Sequence, residues 1–142
     1  MIRSVFGYVG NRSATFPLQL HGIHVSALNS VQYSHHAGYG DFPGGVLDGG
    51  ELDTLIGGLR RNGQLAWYSY LITGYARSES FLERILDVVA QIRSVRPSMR
   101  YVCDPVLGDD GSLYVPEALV ALYRDKVAPL ATVMTPNQFE LG

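Results

Sequence analysis

Trp67-Tyr68-Ser69-Tyr70-Leu71-Ile72-Thr73, then Ser80 to Val95, then Arg100-Tyr101-Val102-Cys103-Asp104-Pro105 are three consecutive stretches whose apolar periods differ. The first and third are short apolar runs. Gly63 and Gly74 bound the first, and Asp104-Pro105 stops the third, because proline cannot continue a central ladder. In the middle stretch Phe81, Leu82, Ile85, Leu86, Val89 and Ile92 share one helical face, and Ser80 with Glu83 has capping-box spacing. Strand, amphipathic helix, strand predicts an α/β architecture with a mostly parallel sheet.

Working outward, Val25 to Val31 reads as a further strand. Glu51 to Asn62 reads as a helix with Leu52, Leu55, Ile56 and Leu59 together and Gly63 as its stop. Gly57-Gly58 weakens that helix by about 1 kcal/mol per glycine relative to alanine. Asn11 to Leu20 is predicted helical and ended by Gly22, with Pro17 sitting awkwardly inside it. Toward the carboxyl end, Pro116 suits the first turn of a helix running to Lys126. Ala131 to Met134 is a last strand, stopped by Thr135-Pro136-Asn137. Gly40 to Gly50 reads as a glycine-rich loop without period. The series opens on a helix and closes on a strand, so the layer is expected to lack its first strand and its final helix, as a fragment would.

Composition narrows the function. At 142 residues and 46% hydrophobic, the chain can bury a core of its own. Eleven basic residues against 13 acidic ones, with no basic cluster, argue against an electrostatic nucleic-acid binder. The single cysteine, Cys103, excludes an internal disulfide and reads as a small buried hydrophobe. No run approaches the roughly 18 apolar residues of a spanning helix, and none has signal-peptide length. A soluble, cytoplasmic chain with no membrane partner is the expectation.

In open α/β sheets ligands bind beyond the carboxyl ends of the strands. That rule selects Gln32 to Tyr39, Gly74-Tyr75, Asp104 to Gly111 and Thr135 to Glu140, which are expected to converge on one cleft. Asp104 follows an apolar strand and is locked before proline, a rigid position for an acid facing a metal or a phosphate. Asp109-Asp110-Gly111 follows in a glycine-flanked loop. Spacing alone favours a turn-capping Asp104 and a solvated loop tip at Asp109-Asp110-Gly111. Gly38-Tyr39-Gly40-Asp41-Phe42-Pro43-Gly44 has one residue too many for G-x-G-x-x-G, and no Walker P-loop occurs. His21 and His24 read as turn residues, while the adjacent His35 and His36 diverge on an extended chain. Asn11-Arg12-Ser13 matches a glycosylation acceptor by chance.

Taken together, Gly7-Tyr8-Val9-Gly10-Asn11, Ala27-Leu28-Asn29-Ser30-Val31-Gln32, His36-Ala37-Gly38-Tyr39, Leu71-Ile72-Thr73-Gly74-Tyr75, Tyr101 to Asp109 and Thr135-Pro136-Asn137-Gln138-Phe139-Glu140 closely resemble the pyridoxal kinases. The resemblance covers nearly the whole chain and implies the N-terminal part of one ribokinase-like α/β/α domain. It implies ATP-dependent phosphorylation of pyridoxal, pyridoxine or pyridoxamine at the 5′-hydroxymethyl group, in vitamin B6 salvage. By that resemblance Val31, His36 and Tyr75 line the vitamin pocket. Asp104 faces the phosphates and their cations, Asp109 lies beside the nucleotide, and Thr135, Asn137 and Glu140 help hold ATP with Mg²⁺ (or Zn²⁺) and a monovalent cation such as K⁺. Asp104 and Glu140 are the implied metal ligands. A homodimer is the assembly it implies.

Three departures qualify the carry-over. Only Met1 to Phe6 stand where the family has its opening strand, and Ser4 is not in the position of that strand's substrate-contacting serine. Ala37 replaces a threonine of the family's His-Thr-Gly-Tyr segment, removing a hydroxyl. The family's Gly-Thr-Gly-Asp motif, with the catalytic base, does not occur in this sequence. The expectation is therefore that these 142 residues are inactive alone, and the alternative function is a truncated isoform that binds or dimerises without turnover.

Overall fold

The computed structural model describes residues 1–141. In chain order the elements are β1 (Ile2–Ser4), α1 (Asn11–Leu20), β2 (Val31–Tyr33), β3 (Gly44–Val46), α2 (Gly49–Arg61), β4 (Tyr70–Thr73), α3 (Glu79–Val95), β5 (Arg100–Cys103), β6 (Gly108–Asp109), β7 (Ser112–Leu113), α4 (Ala118–Leu122), β8 (Val133–Met134) and α5 (Gln138–Leu141). The α/β class stands, with β4, β5 and β8 parallel in one sheet and β1 parallel to β2 in another. Antiparallel pairing is confined to β3 on the edge of β2 and to the small β6–β7 hairpin.

The register of the first sheet prepares a site. Thr73 pairs with Cys103, and Cys103 with Met134, so three strands finish level. Their successors Gly74, Asp104 and Thr135 therefore begin side by side. The ladder runs one step further through backbone bonds from Asp104 N–H to Thr73 O (3.0 Å) and from Thr135 N–H to Cys103 O (3.1 Å).

α3 is the helix that the apolar stripe predicts, burying Phe81, Leu82, Ile85, Val88, Val89 and Ile92. Leu86 is only partly buried and Val88 takes its expected place inside. The cap is Ser78 rather than Ser80: its hydroxyl accepts from Phe81 N–H at 3.2 Å. Ser80 instead receives the amide of Gly49 from the start of α2, at 3.3 Å. A side chain at Gly49 would stand 2.7 Å from the Ser80 carbonyl, so glycine lets the two helices close up. α2 begins with a capping box between Asp48 and Glu51 and buries Leu52 and Ile56, leaving Leu55 outside.

Several expectations need correction. The opening strand expected to be missing is present as β1, with Ile2 buried opposite Val31. The strand expected over 25–31 starts only at Val31, because Asn11 holds the preceding backbone and side chains by donating to Leu28 O and Asn29 Oδ1, each at 2.8 Å. The glycine-rich loop contains β3, where a side chain at Gly44 would collide with the Gln32 carbonyl. Trp67 is 77% exposed and ends a 3₁₀ turn, so β4 starts at Tyr70. The helix opened by Pro116 is regular only over Ala118–Leu122 and then widens through Tyr123–Val127, whose ends are buried. Pro17 is accommodated within α1, which buries no residue at all. Among the described residues no helix is long and apolar enough to cross a membrane.

Candidate active site

A cavity of about 370 Å³ opens beyond the level strand ends. Its lining draws on the start of β1 and the turn at Gly10, on His36 to Gly38, on Gly74 and Tyr75, and on Asp104 and Val106. Three of the four polar segments chosen by the strand-end rule thus reach one space. Gly10 has φ +52°, and a side chain there would run into the Ile2 carbonyl, so only glycine lets this turn approach β1.

Asp104 is half-buried, and its carboxyl is raised above the ordinary carboxylate range. Burial is the main cause and the charge of Glu140 adds to it, while a hydrogen bond from Thr135 works the other way. A carboxylate held at a desolvated strand end beside a second one gains from a cation. Two neighbouring carboxylates are the number that Mg²⁺ bound together with phosphates and water commonly takes from protein, though both Glu140 oxygens here accept backbone amides. Among the described residues no group of three or more His, Cys, Asp or Glu converges.

Tyr75 is 5% exposed, and its hydroxyl, like that of Tyr33, has no hydrogen-bond partner. Burial raises the Tyr75 phenol, with Tyr33 adding, and the nearby Arg77 guanidinium opposes the shift without meeting hydrogen-bond geometry at either hydroxyl. His36 is exposed, its Nδ1 accepts from Gly38 N–H at 3.1 Å, and its ring meets Tyr39 edge-on at 4.7 Å.

The remaining expected residues lie elsewhere. Val31 is completely buried in the core behind Ile2 and is not part of the cavity lining. Asp109 is exposed in the β6–β7 hairpin and accepts from Asp110 N–H at 2.9 Å. Asn137 and Glu140 form a reciprocal cap at the start of α5, with both bonds at 2.9 Å. The same two side chains clasp the loop after Asp104: Glu140 Oε1 accepts from Leu107 N–H at 2.9 Å and Asn137 Nδ2 donates to Gly108 O at 2.8 Å. Sequence reasoning did not place Gly10 or Tyr114 on the lining, and only the positive φ of Gly10 leaves a trace in residue type.

A second depression, about 270 Å³, lies beside α1 among Arg3, Asn11, Arg12 and Phe16. It holds none of the residues selected above.

Level parallel strands, a cavity beyond their carboxyl ends and an acid on the strand end define an open α/β framework with a strand-end site, and its superposition on solved pyridoxal kinases makes it ribokinase-like. No protein-family model matches the chain. Its relatives are pyridoxal kinases, and the chain is homologous to them over nearly all of its own length. It is 58% identical to the pyridoxal kinase of Arabidopsis thaliana over 137 residues, 96% of this chain and 44% of that protein. With the human pyridoxal kinase the identity is 52%, over 94% of this chain and 44% of that protein. The solved structure of Leishmania donovani pyridoxal kinase in complex with ADP and pyridoxamine superposes with a TM-score of 0.93 at 43% identity, covering 98% of this chain and 50% of that one. The chain therefore spans somewhat under half the length of the curated relatives it matches.

Proposed function

We propose that these residues form the vitamin-facing part of a kinase that moves the terminal phosphoryl group of ATP to the 5′-hydroxymethyl group of pyridoxal, pyridoxine or pyridoxamine. The supporting observation is that His36, Tyr75 and Asp104 border one cavity in a chain 58% identical to a pyridoxal kinase. Tyr75 and His36 offer ring faces to a planar heteroaromatic ligand, and Val31 supports that wall through Ile2. Asp104 and Thr135, neighbours at the ends of β5 and β8, would face the phosphates. Asp109 and Asn137 would lie on the nucleotide side. Asp104 and Glu140 would hold Mg²⁺, with Zn²⁺ as the alternative, and K⁺ or a similar ion would sit near Thr135 and Glu140. Mg²⁺ there would neutralise charge on the transferring group, and phosphoryl transfer depends mostly on positioning and such neutralisation. A cytoplasmic location fits this role.

Deprotonating the attacking alcohol requires a carboxylate within hydrogen-bond reach of it. In this reading Asp104, next to Thr135, would face the cation, and these residues would bind and orient without supplying that base. Pyridoxal titrated into the 142-residue chain should bind saturably, and ATP with Mg²⁺ should yield no pyridoxal 5′-phosphate. Absence of saturable binding would overturn the vitamin-site reading, and sustained product formation would overturn the division of labour.

A second reading, association without turnover, is supported by the outer face of the first strand–helix unit. Phe6, Tyr8, Phe16 and Leu20 are each 63–77% exposed there. Sedimentation at micromolar concentration separates a homodimer from a monomer.

A further inference from the structure

Two segments that border the cavity, and a third that runs beside β2, are tied together by one residue outside the cavity. Ser30 is 1% exposed and precedes β2. Its N–H donates to Met1 O at 2.9 Å, its carbonyl accepts from Leu47 N–H at 2.8 Å, and its hydroxyl donates to Tyr75 O at 2.5 Å. Every polar group of this residue is therefore spent on a different segment. The Tyr75 bond is the informative one, because it spans 45 residues in sequence and joins the β1–β2 sheet to the end of β4. Close by, the Tyr123 hydroxyl reaches Gly74 O at 3.4 Å, a longer and weaker contact. The Tyr75 ring has no hydrogen-bond anchor of its own, since its hydroxyl is without a partner. Core packing holds the ring, and the one directed bond at this residue from the β1–β2 sheet is that of Ser30 to its carbonyl.

We infer that Ser30 is a positioning residue for vitamin recognition: its hydroxyl sets the Tyr75 backbone, and through it the aromatic residue on the cavity lining. This inference rests on the vitamin-site reading. Alanine at this position leaves the Tyr75 carbonyl buried and unpaired, a defect that relaxes by shifting residues 73–77. Cysteine keeps the volume and offers a weak donor, so it restores part of the function.

The test compares wild type, Ser30→Ala, Ser30→Cys and a control, Val89→Ala, which damages the buried face of α3 at a residue that is not on the cavity lining. Pyridoxal affinity is measured well below each melting temperature, and backbone amide exchange is followed over residues 73–77. The expected result is a roughly tenfold rise in Kd for Ser30→Ala, an intermediate value for Ser30→Cys and a wild-type value for Val89→Ala. Exchange at 73–77 should accelerate at least fivefold in Ser30→Ala alone. Affinity within twofold of wild type for Ser30→Ala, or equal losses in Ser30→Ala and Val89→Ala, would overturn the inference. If wild type itself fails to bind, the vitamin-site reading falls. The positioning of Tyr75 is then decided by exchange alone, and unchanged exchange at 73–77 rejects it.

Discussion

Two parts of the molecule hold together by different means. Around β4, β5 and β8, the helices α2 and α3 bury Leu52, Ile56, Phe81, Leu82, Ile85, Val88, Val89 and Ile92 against fully buried Tyr101 and Cys103. Around β1, β2 and β3 the strands have three residues each, α1 buries nothing, and Phe16 and Leu20 face outward. The first part is stabilised by apolar burial. The second buries fewer side chains, Ile2, Val31 and Tyr33, and leans more on directed bonds, chiefly those of Asn11 and Ser30. The cavity lies where the two meet: the well-packed part carries Tyr75 and Asp104, and the lightly packed part carries Gly10 and His36 to Gly38.

Truncation of an apolar side chain in each part separates them most strongly. Leu82→Ala should cost about 2–5 kcal/mol in urea unfolding, the usual range for a buried leucine. Leu20→Ala, at a position 70% exposed, should stay within about 0.5 kcal/mol. Similar losses in both variants would remove the contrast. Gly49→Ala comes next, since its new methyl would stand 2.7 Å from the Ser80 carbonyl. Overpacking of that kind should cost about 1–3 kcal/mol, and an unchanged melting temperature would mean that α2 and α3 are not tightly apposed. Asp48→Ala removes the side-chain half of the capping box at the start of α2 and should cost about 1 kcal/mol.

The smallest effect is a pH signature at the acid. The Asp104 carboxyl is raised above its ordinary value of 3.8, so the folded state holds this proton more tightly than the unfolded chain does. Its contribution to stability is full below that value and declines as pH rises through the raised one. Asp104→Asn should therefore melt above wild type at pH 7 and lose that advantage on acidification toward the ordinary carboxylate range. A variant less stable than wild type at pH 7 would show the carboxylate to be favourable in place.

The well-packed part was legible in the sequence for a physical reason. A 17-residue helix repeats its apolar spacing often enough to be read, and Asp104-Pro105 marks a strand end without ambiguity. Strands of two or three residues carry no period. β1, β3 and β6 exist because tertiary pairing holds them, and Gly44-Gly45 shows only the room that pairing needs. Within the site, the strand-end rule located His36, Tyr75 and Asp104. It could not reveal that Val31 turns inward, since an apolar residue before a polar loop suits either face. Asn137 and Glu140 have visible capping-box spacing, yet their clasp on Leu107 and Gly108 depends on a loop 29–33 residues away. Ser30 reads in sequence as an ordinary strand-closing serine, and only the fold brings Tyr75 to it.

Amide chemical shifts followed while pyridoxal is added to the 142-residue chain bear most directly on the proposed site. The expected perturbations cluster at 36–38, 74–77 and 104–106 and saturate together with one dissociation constant. Perturbations centred instead on Asn11, Arg12 and Phe16 beside α1, or spread without saturation, would contradict it.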